Sequence, residues 1–393
     1  MFQSLPEQPA DKILELMQMF RADPRTDKVD LGVGVYRDAS GRTPIMRAIK
    51  SAQKSLWETE ESMAYTGLAG PAEFNDAMVD LVLGEAVPRA AVSSVATPGG
   101  TGAVRLGFEL ARIANPELTV WHSQPTWPNH PAILKYLGLP VRTYRYLDAA
   151  GGVDVAGMLD DLGQAAAGDI VLLHGCCHNP TGANLSADDW SAVIAKLNEA
   201  GLVPMIDIAY QGFGDGLDAD ADAVRAVAAA CPETIIAASC SKNFGVYKER
   251  AGLLMAVSHD TSHHATTQGN LATLNRLTYS FPPDHGARLV SMVLTDPELR
   301  ADWVAELEDV RIGMLGLREG LASALRQETN SDRFDFVARH RGMFSQLGLG
   351  PEEVVKLREA HGVYIIGDSR MNVAGLNAET IPVLARAVAE VTA

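Results

Sequence analysis

From residue 118 onward the chain repeats one pattern. A short apolar run is followed by a longer stretch in which apolar residues recur every three or four positions among polar ones. The runs are LTVWH (118–122), DIVLLHG (169–175), LVPMIDIAY (202–210), TIIAAS (234–239) and AGLLMAVS (251–258). Runs this short, apolar at both odd and even positions, predict strands covered on both faces. With amphipathic helical stretches between them, they predict an α/β fold built on a mostly parallel sheet with helices on each side. After about residue 310 the texture changes to long amphipathic helices, then GMFSQLG and HGVYIIGDSRMNVAG (361–375). This predicts a smaller α+β domain of residues 1–45 and 310–393, including an amino-terminal arm, beside a large domain of residues 46–309.

Composition narrows the function classes. Hydrophobic residues make up 47% and charged residues 21%, an ordinary globular balance. The formal net charge of −16, from 33 basic and 49 acidic residues, disfavours nucleic acid and anionic lipid as partners. No apolar run approaches the roughly 18 residues a membrane span requires. The opening MFQSLPEQPADK lacks the basic-then-apolar pattern of a secretory leader. Four cysteines, two of them adjacent (Cys176, Cys177), do not form a disulfide framework. The expectation is a soluble, cytoplasmic protein.

Candidate chemistry concentrates where apolar runs end, which is where ligands bind in open α/β sheets. TIIAAS gives way to Ser239, Ser241 and Lys242, with Arg250 further on; LVPMI gives way to Asp207 and Tyr210. A buried lysine loses basicity, and its neutral amine can form a Schiff base with a carbonyl compound. An aldolase would need little more than that lysine and an acid–base partner. The segment TPGGTGAVR (97–105) adds phosphate-binding material: Gly100 and Thr101 supply N–H groups and a hydroxyl ahead of a helical stretch. It lacks the Gly-Lys-Ser/Thr ending of a phosphate loop and does not fit G-x-G-x-x-G. A phosphate ester whose carbonyl is held by lysine points to pyridoxal 5′-phosphate, whose ring nitrogen needs a buried carboxylate partner. Asp207 suits that role, and Tyr210 and Asn179 could reach the phenolic oxygen of the ring.

Taken singly, Asp207 reads as a helix cap, Arg250 as a surface ion pair, Asn179–Gly182 as a turn and Trp127 as core packing. Together, each at the end of an apolar run, they read as one site. His174, Cys176 and His178 in HGCCHNPTG would share one face of a strand, but no second ligand cluster accompanies them and no metal is expected.

The motifs PTWPNHPAI, LLHGCCHNPTGANL, DIAYQGFGDGL, SCSKNFGVYKERAG and SFPPDHGA resemble those of fold-type I, class I pyridoxal-phosphate aminotransferases, in the subgroup of aspartate and bacterial aromatic-amino-acid aminotransferases. The resemblance runs from FRADPRTDKVDLGVGVYRD (20–38) to GDSRMNVAGL (367–376). It implies a seven-stranded large-domain sheet and pyridoxal phosphate as cofactor. It implies that Lys242 anchors the cofactor and carries the substrate proton. Gly100, Thr101, Ser239, Ser241 and Arg250 would hold the phosphate, Trp127 would stack on the ring, and Asp207 would pair with its nitrogen. Asn179 and Tyr210 would hold the ring oxygen, Arg370 the substrate α-carboxylate, and Gly34 would line the substrate pocket. Tyr65 and Arg276 would reach into the neighbouring subunit's site, so a homodimer with shared sites is implied. The resemblance implies a ping-pong transaminase acting on aromatic amino acids or aspartate with 2-oxoglutarate, the alternative being a dedicated aspartate enzyme. A non-catalytic pyridoxal-binding regulator would call for an appended DNA-binding region and a basic patch, and neither is present.

Overall fold

The structure, a computed structural model, describes residues 1–393 apart from Pro9 and Ala39. Its described strands are β1 (Val29–Asp30), β2 (Val92–Pro98), β3 (Val120–Gln124), β4 (Val141–Arg145), β5 (Ile170–His174), β6 (Val203–Ile208), β7 (Glu233–Ser239), β8 (Ala251–Ser258), β9 (Phe344–Gln346), β10 (Val363–Tyr364) and β11 (Arg370–Asn372). β2 to β8 form one seven-stranded sheet in the order β2-β8-β7-β6-β5-β3-β4. All neighbours in it are parallel except the pairs β8 makes with β2 and β7. A parallel return needs a crossover of a dozen or more residues. The connection from β7 to β8 carries Lys242 and has no helix, so β8 runs antiparallel.

The apolar runs are continuous because alternate residues go to opposite faces and both faces are covered. Met205, Ile235, Ala237 and Leu254 pack into one core with Val104 and Phe108 of the helix Gly99–Ala114. Ile206, Ile208, Ile236 and Leu253 face the other way, onto Val193, Leu197, Val224 and Val227 of the helices Ala187–Ala200 and Ala219–Ala230. Two strands escape the pattern. β2 and β4 are the sheet's edges, and their sequences VSSVATP and VRTYR carry polar residues; most of β4 is exposed.

A separate hydrophobic core gathers Val29, Leu31, Leu321, Leu325, Val354, Leu357, Val363, Met371 and Leu384. Chain ends far apart in sequence meet there: β1 pairs parallel with β10, and β9 antiparallel with β11. The helix Pro297–Thr329, with Asp296 accepting from the amides of Glu298 and Leu299 at its start, runs through the boundary drawn at residue 310. Its Trp303 and Leu307 belong to the sheet's core, whereas Leu321 and Leu325 belong to the separate one. No described helix is long and apolar enough to cross a membrane.

Candidate active site

Sheet register brings the strand ends to one level. His174, the last residue of β5, lies opposite Asp207 on β6, and Asp207 lies opposite Ala237 on β7. Beyond these ends is a cavity lined by Gly100, Thr101, Trp127, His174, Asn179, Asp207, Tyr210, Ser239, Ser241, Lys242 and Arg250. Of the sequence candidates, those expected at one cofactor within a single chain therefore converge, Trp127 included.

Lys242 runs along the cavity wall, with Nζ 5.0 Å from the centre of the Tyr210 ring. Part of its stem is exposed to the cavity, yet the protein encloses the amine closely enough that burial pushes its pKa down to about 8. The Asp207 carboxylate opposes that shift and the Arg250 charge reinforces it. At neutral pH the free amine is thus still the minority form, yet far commoner than on an ordinary lysine.

Asp207 is buried, and its Oδ2 accepts from Nε2 of His130 at 3.0 Å. Burial acts to raise its pKa, but the His130 hydrogen bond, with His174 and Lys242 nearby, outweighs burial and holds the carboxyl below the usual range. The relay extends further. Thr126 Oγ1 lies 2.9 Å from His130 Nδ1 and 3.2 Å from His174 Nε2. In the neutral tautomer of His130 that carries Nε2–H, Nδ1 accepts the Thr126 hydroxyl proton, and Thr126 in turn accepts Nε2–H from His174. Burial pushes His174 down to about 3, which suits a neutral donor. Sequence reasoning missed His130, Thr126 and the part His174 plays. His130 and Thr126 stand inside the motif around Trp127, but nothing local ties them to Asp207.

The anion cradle depends on close approach. Helix Gly99–Ala114 starts where β2 ends, and its first N–H groups have no partner within the helix. Gly99 has φ +69°, and a Cβ there would come within 2.5 Å of Arg250 Nη2; a Cβ on Gly100 would come within 2.8 Å of Ser239 Cβ. Glycine thus lets the helix start press against both donors. Arg250 is itself aimed, donating to Ser241 Oγ at 3.3 Å and the Tyr247 carbonyl at 2.9 Å.

Arg370 opens β11 and is 5% exposed. Its Cζ lies 4.6 Å from the centre of the Phe344 ring, and Nη1 donates to Asn179 Oδ1 at 3.4 Å. The Asn179 amide in turn points to the Tyr210 hydroxyl at 3.5 Å. Burial lowers the Arg370 pKa and raises that of Tyr210. Gly34 closes on the same ring, since a Cβ there would sit 3.0 Å from Phe344 Cζ.

Tyr65 and Arg276 lie elsewhere. Tyr65 is 85% exposed and stacks on Phe281 at 4.8 Å; exposed Arg276 lies over the same ring at 5.6 Å and donates to Ser280 Oγ at 2.7 Å. Neither lines this chain's cavity. The expected strand face of His174, Cys176 and His178 is also corrected. β5 ends at His174, and Cys177 adopts φ +49°, which turns the backbone. Both nitrogens of His178 are engaged, by Ser123 Oγ at 3.0 Å and Thr181 Oγ1 at 2.9 Å.

A lysine amine near neutrality, an ionised carboxylate and an anion cradle around one cavity define a site for a phosphorylated carbonyl cofactor. The chain belongs to the aminotransferase class I and II family, which it matches over residues 26–388. It is 58% identical, over 100% of both chains, to the aromatic-amino-acid aminotransferase of Paracoccus denitrificans. A solved aromatic amino acid aminotransferase with 3-indolebutyric acid superposes with a TM-score of 0.98 over 100% of both chains, at 58% identity. Another, from Burkholderia pseudomallei and covalently bound to pyridoxal phosphate, superposes at 0.97 over 100% of this chain and 99% of its own, at 40% identity. The chain is thus an aminotransferase of a class that uses pyridoxal phosphate, and the cradle, Lys242 and Asp207 fit that group.

Proposed function

We propose that this enzyme transfers the amino group of aromatic amino acids, and of aspartate, to 2-oxoglutarate in two half-reactions at one pyridoxal phosphate. The observation that carries the reading is Arg370. Its guanidinium is buried, and among the described residues no carboxylate pairs with it. A buried, unpaired guanidinium is costly unless a ligand supplies the anion, and its planar fork matches an α-carboxylate.

Roles follow from position. Lys242 would anchor the cofactor and, once displaced by the amino acid, would take the proton from the substrate α-carbon and deliver it to the cofactor C4′. Bound pyridoxal phosphate supplies the electron sink for the pair left on that carbon. Asp207, kept ionised by His130, holds a proton on the ring nitrogen. Asn179 and Tyr210 hold the ring oxygen, Trp127 covers the ring face, and Gly100, Thr101, Ser239, Ser241 and Arg250 grip the phosphate. Arg370 orients the substrate and Gly34 shapes its pocket against Phe344.

Arg276 and Tyr65 complete the site from a second copy of the chain. The exposure of Trp57 (82%), Met63 (90%) and Leu277 (78%) near them in sequence supports that homodimer. The separate core supports a small domain of residues 1–45 and 310–393 against a cofactor-binding domain of residues 46–309. Four free cysteines suit the cytoplasm.

Two measurements test the reading. Borohydride reduction of the yellow holoenzyme should fix the cofactor on Lys242, and attachment to any other lysine sinks the assignment. Initial rates with phenylalanine, tyrosine and aspartate against 2-oxoglutarate should all be substantial. Turnover of aspartate alone would reduce the enzyme to a dedicated aspartate aminotransferase.

A further inference from the structure

Tyr210 and Phe213 sit on an irregular segment that follows β6 and contains three glycines, Gly212, Gly214 and Gly216. Such a segment needs something to hold it if its side chains are to keep their places. The structure supplies one side chain for the purpose. Asp220, in the first turn of the helix Ala219–Ala230 and 4% exposed, accepts from the backbone N–H groups of Gly212, Gly214 and Asp215, each at 2.8 Å. Arg311 closes the loop from the other side, Nη1 donating to the Gly214 carbonyl at 3.4 Å. Inside the loop the Phe213 N–H donates to the Tyr210 carbonyl at 2.9 Å, and Phe213 lines the space next to Lys242.

We propose that Asp220 is a positioning residue of the active site, which through these three amides places the Tyr210 hydroxyl and the Phe213 ring beside Lys242. The inference rests on the proposed role of Tyr210 at the cofactor oxygen. Asp220 also lies within 4.8 Å, ligand atom to ligand atom, of Cys176 and Cys177, a trio with metal-ligand composition. Its two carboxylate oxygens are already taken by three amides, and the buried Arg318 cation acts on Cys177, an environment hostile to a dication. Gly214 completes the fit: a Cβ there would lie 2.4 Å from Asp220 Oδ1, so a side chain would push the carboxylate off its amides.

The test uses Asp220→Asn and, independently, Gly214→Ala, each compared with Tyr210→Phe. Hydrogen–deuterium exchange on the cofactor-free protein should show residues 211–216 exchanging about tenfold faster or more in both loop variants, because bonds to a charged acceptor are lost. In the holoenzyme, the pH midpoint of the cofactor's absorbance change should move in the direction seen for Tyr210→Phe, by on the order of one pH unit. Unchanged exchange overturns the proposal. Faster exchange with an unmoved midpoint overturns it too, since Asp220 would then hold the loop without placing Tyr210. If Asp220→Asn fails to fold, Gly214→Ala decides by the same two readouts. A wild-type protein with no cofactor band would instead overturn the functional reading itself.

Discussion

The imidazole of His130 donates to the carboxylate of Asp207 at 3.0 Å, and neither side chain is more than 9% exposed. This contact sets which force rules the carboxyl. Burial alone would favour the neutral acid; the donor restores the anion.

Asp207→Asn keeps the volume and removes the charge. Removing one member of a buried charged pair costs roughly 3–5 kcal/mol. At about 1.36 kcal/mol per tenfold, turnover should fall between about 150-fold and 5,000-fold with cofactor still bound. His130→Ala should act more gently and through pH. A depressed carboxyl is ionised, and its stabilisation present, until pH falls through its folded pKa. Without His130 that pKa rises, so the acid limb of the kcat/KM profile should move to higher pH. A superimposable acid limb would show that the anion is maintained some other way.

Lys242 makes a prediction about stability in the cofactor-free protein. Its folded pKa of about 8 lies below the ordinary 10.5. Over that window the unfolded chain binds a proton that the folded one does not, so stability rises with pH. Wild type should therefore be less stable than Lys242→Met below pH 8, by up to about 3 kcal/mol (roughly two and a half pH units at 1.36 kcal/mol each), and the gap should close towards pH 10.5. Thermal melts of both proteins across that range check it; parallel curves would mean the amine is not depressed.

Arg370→Ala removes the buried cation proposed to meet the substrate α-carboxylate. A truncated buried pair costs on the order of 2–5 kcal/mol. The value of kcat/KM should thus drop by roughly 30-fold to several thousand-fold, for phenylalanine and aspartate alike, because both present the same α-carboxylate. A loss confined to aspartate would place Arg370 at the distal group instead.

Arg276→Ala should discriminate where Arg370→Ala does not. Aspartate should lose kcat/KM by roughly 30-fold to several thousand-fold, while phenylalanine, with no distal charge to offer, should change little. Mixed with Lys242→Ala, it should form heterodimers with one doubly damaged and one intact site. Aspartate activity should then return to about half of wild type per heterodimer, as one site of two predicts. Without rescue in a verified heterodimer, Arg276 would belong to its own subunit's site.

The sequence by itself determined the interior strands and the residues hanging from their ends. β5, β6, β7 and β8 are legible because a strand buried on both faces must be apolar at every position. Lys242, Asp207, Tyr210 and Asn179 are legible because the carboxyl ends of parallel strands converge on one edge. Edge strands β2 and β4 were not, since one unpaired side lets polar residues in. The tertiary structure alone decided what lies far apart in the chain. His130 reaches Asp207 across 77 residues, and no local period encodes that meeting. Asp220 looks like any acidic residue at a helix start until the Gly212–Asp215 amides are seen to turn towards it. Tyr65 and Arg276 carry no local sign of being exposed; both pack about Phe281, and neither lines this chain's own cavity. Periodicity reports which face of an element is buried, whereas a hydrogen bond between elements depends on their packing in three dimensions.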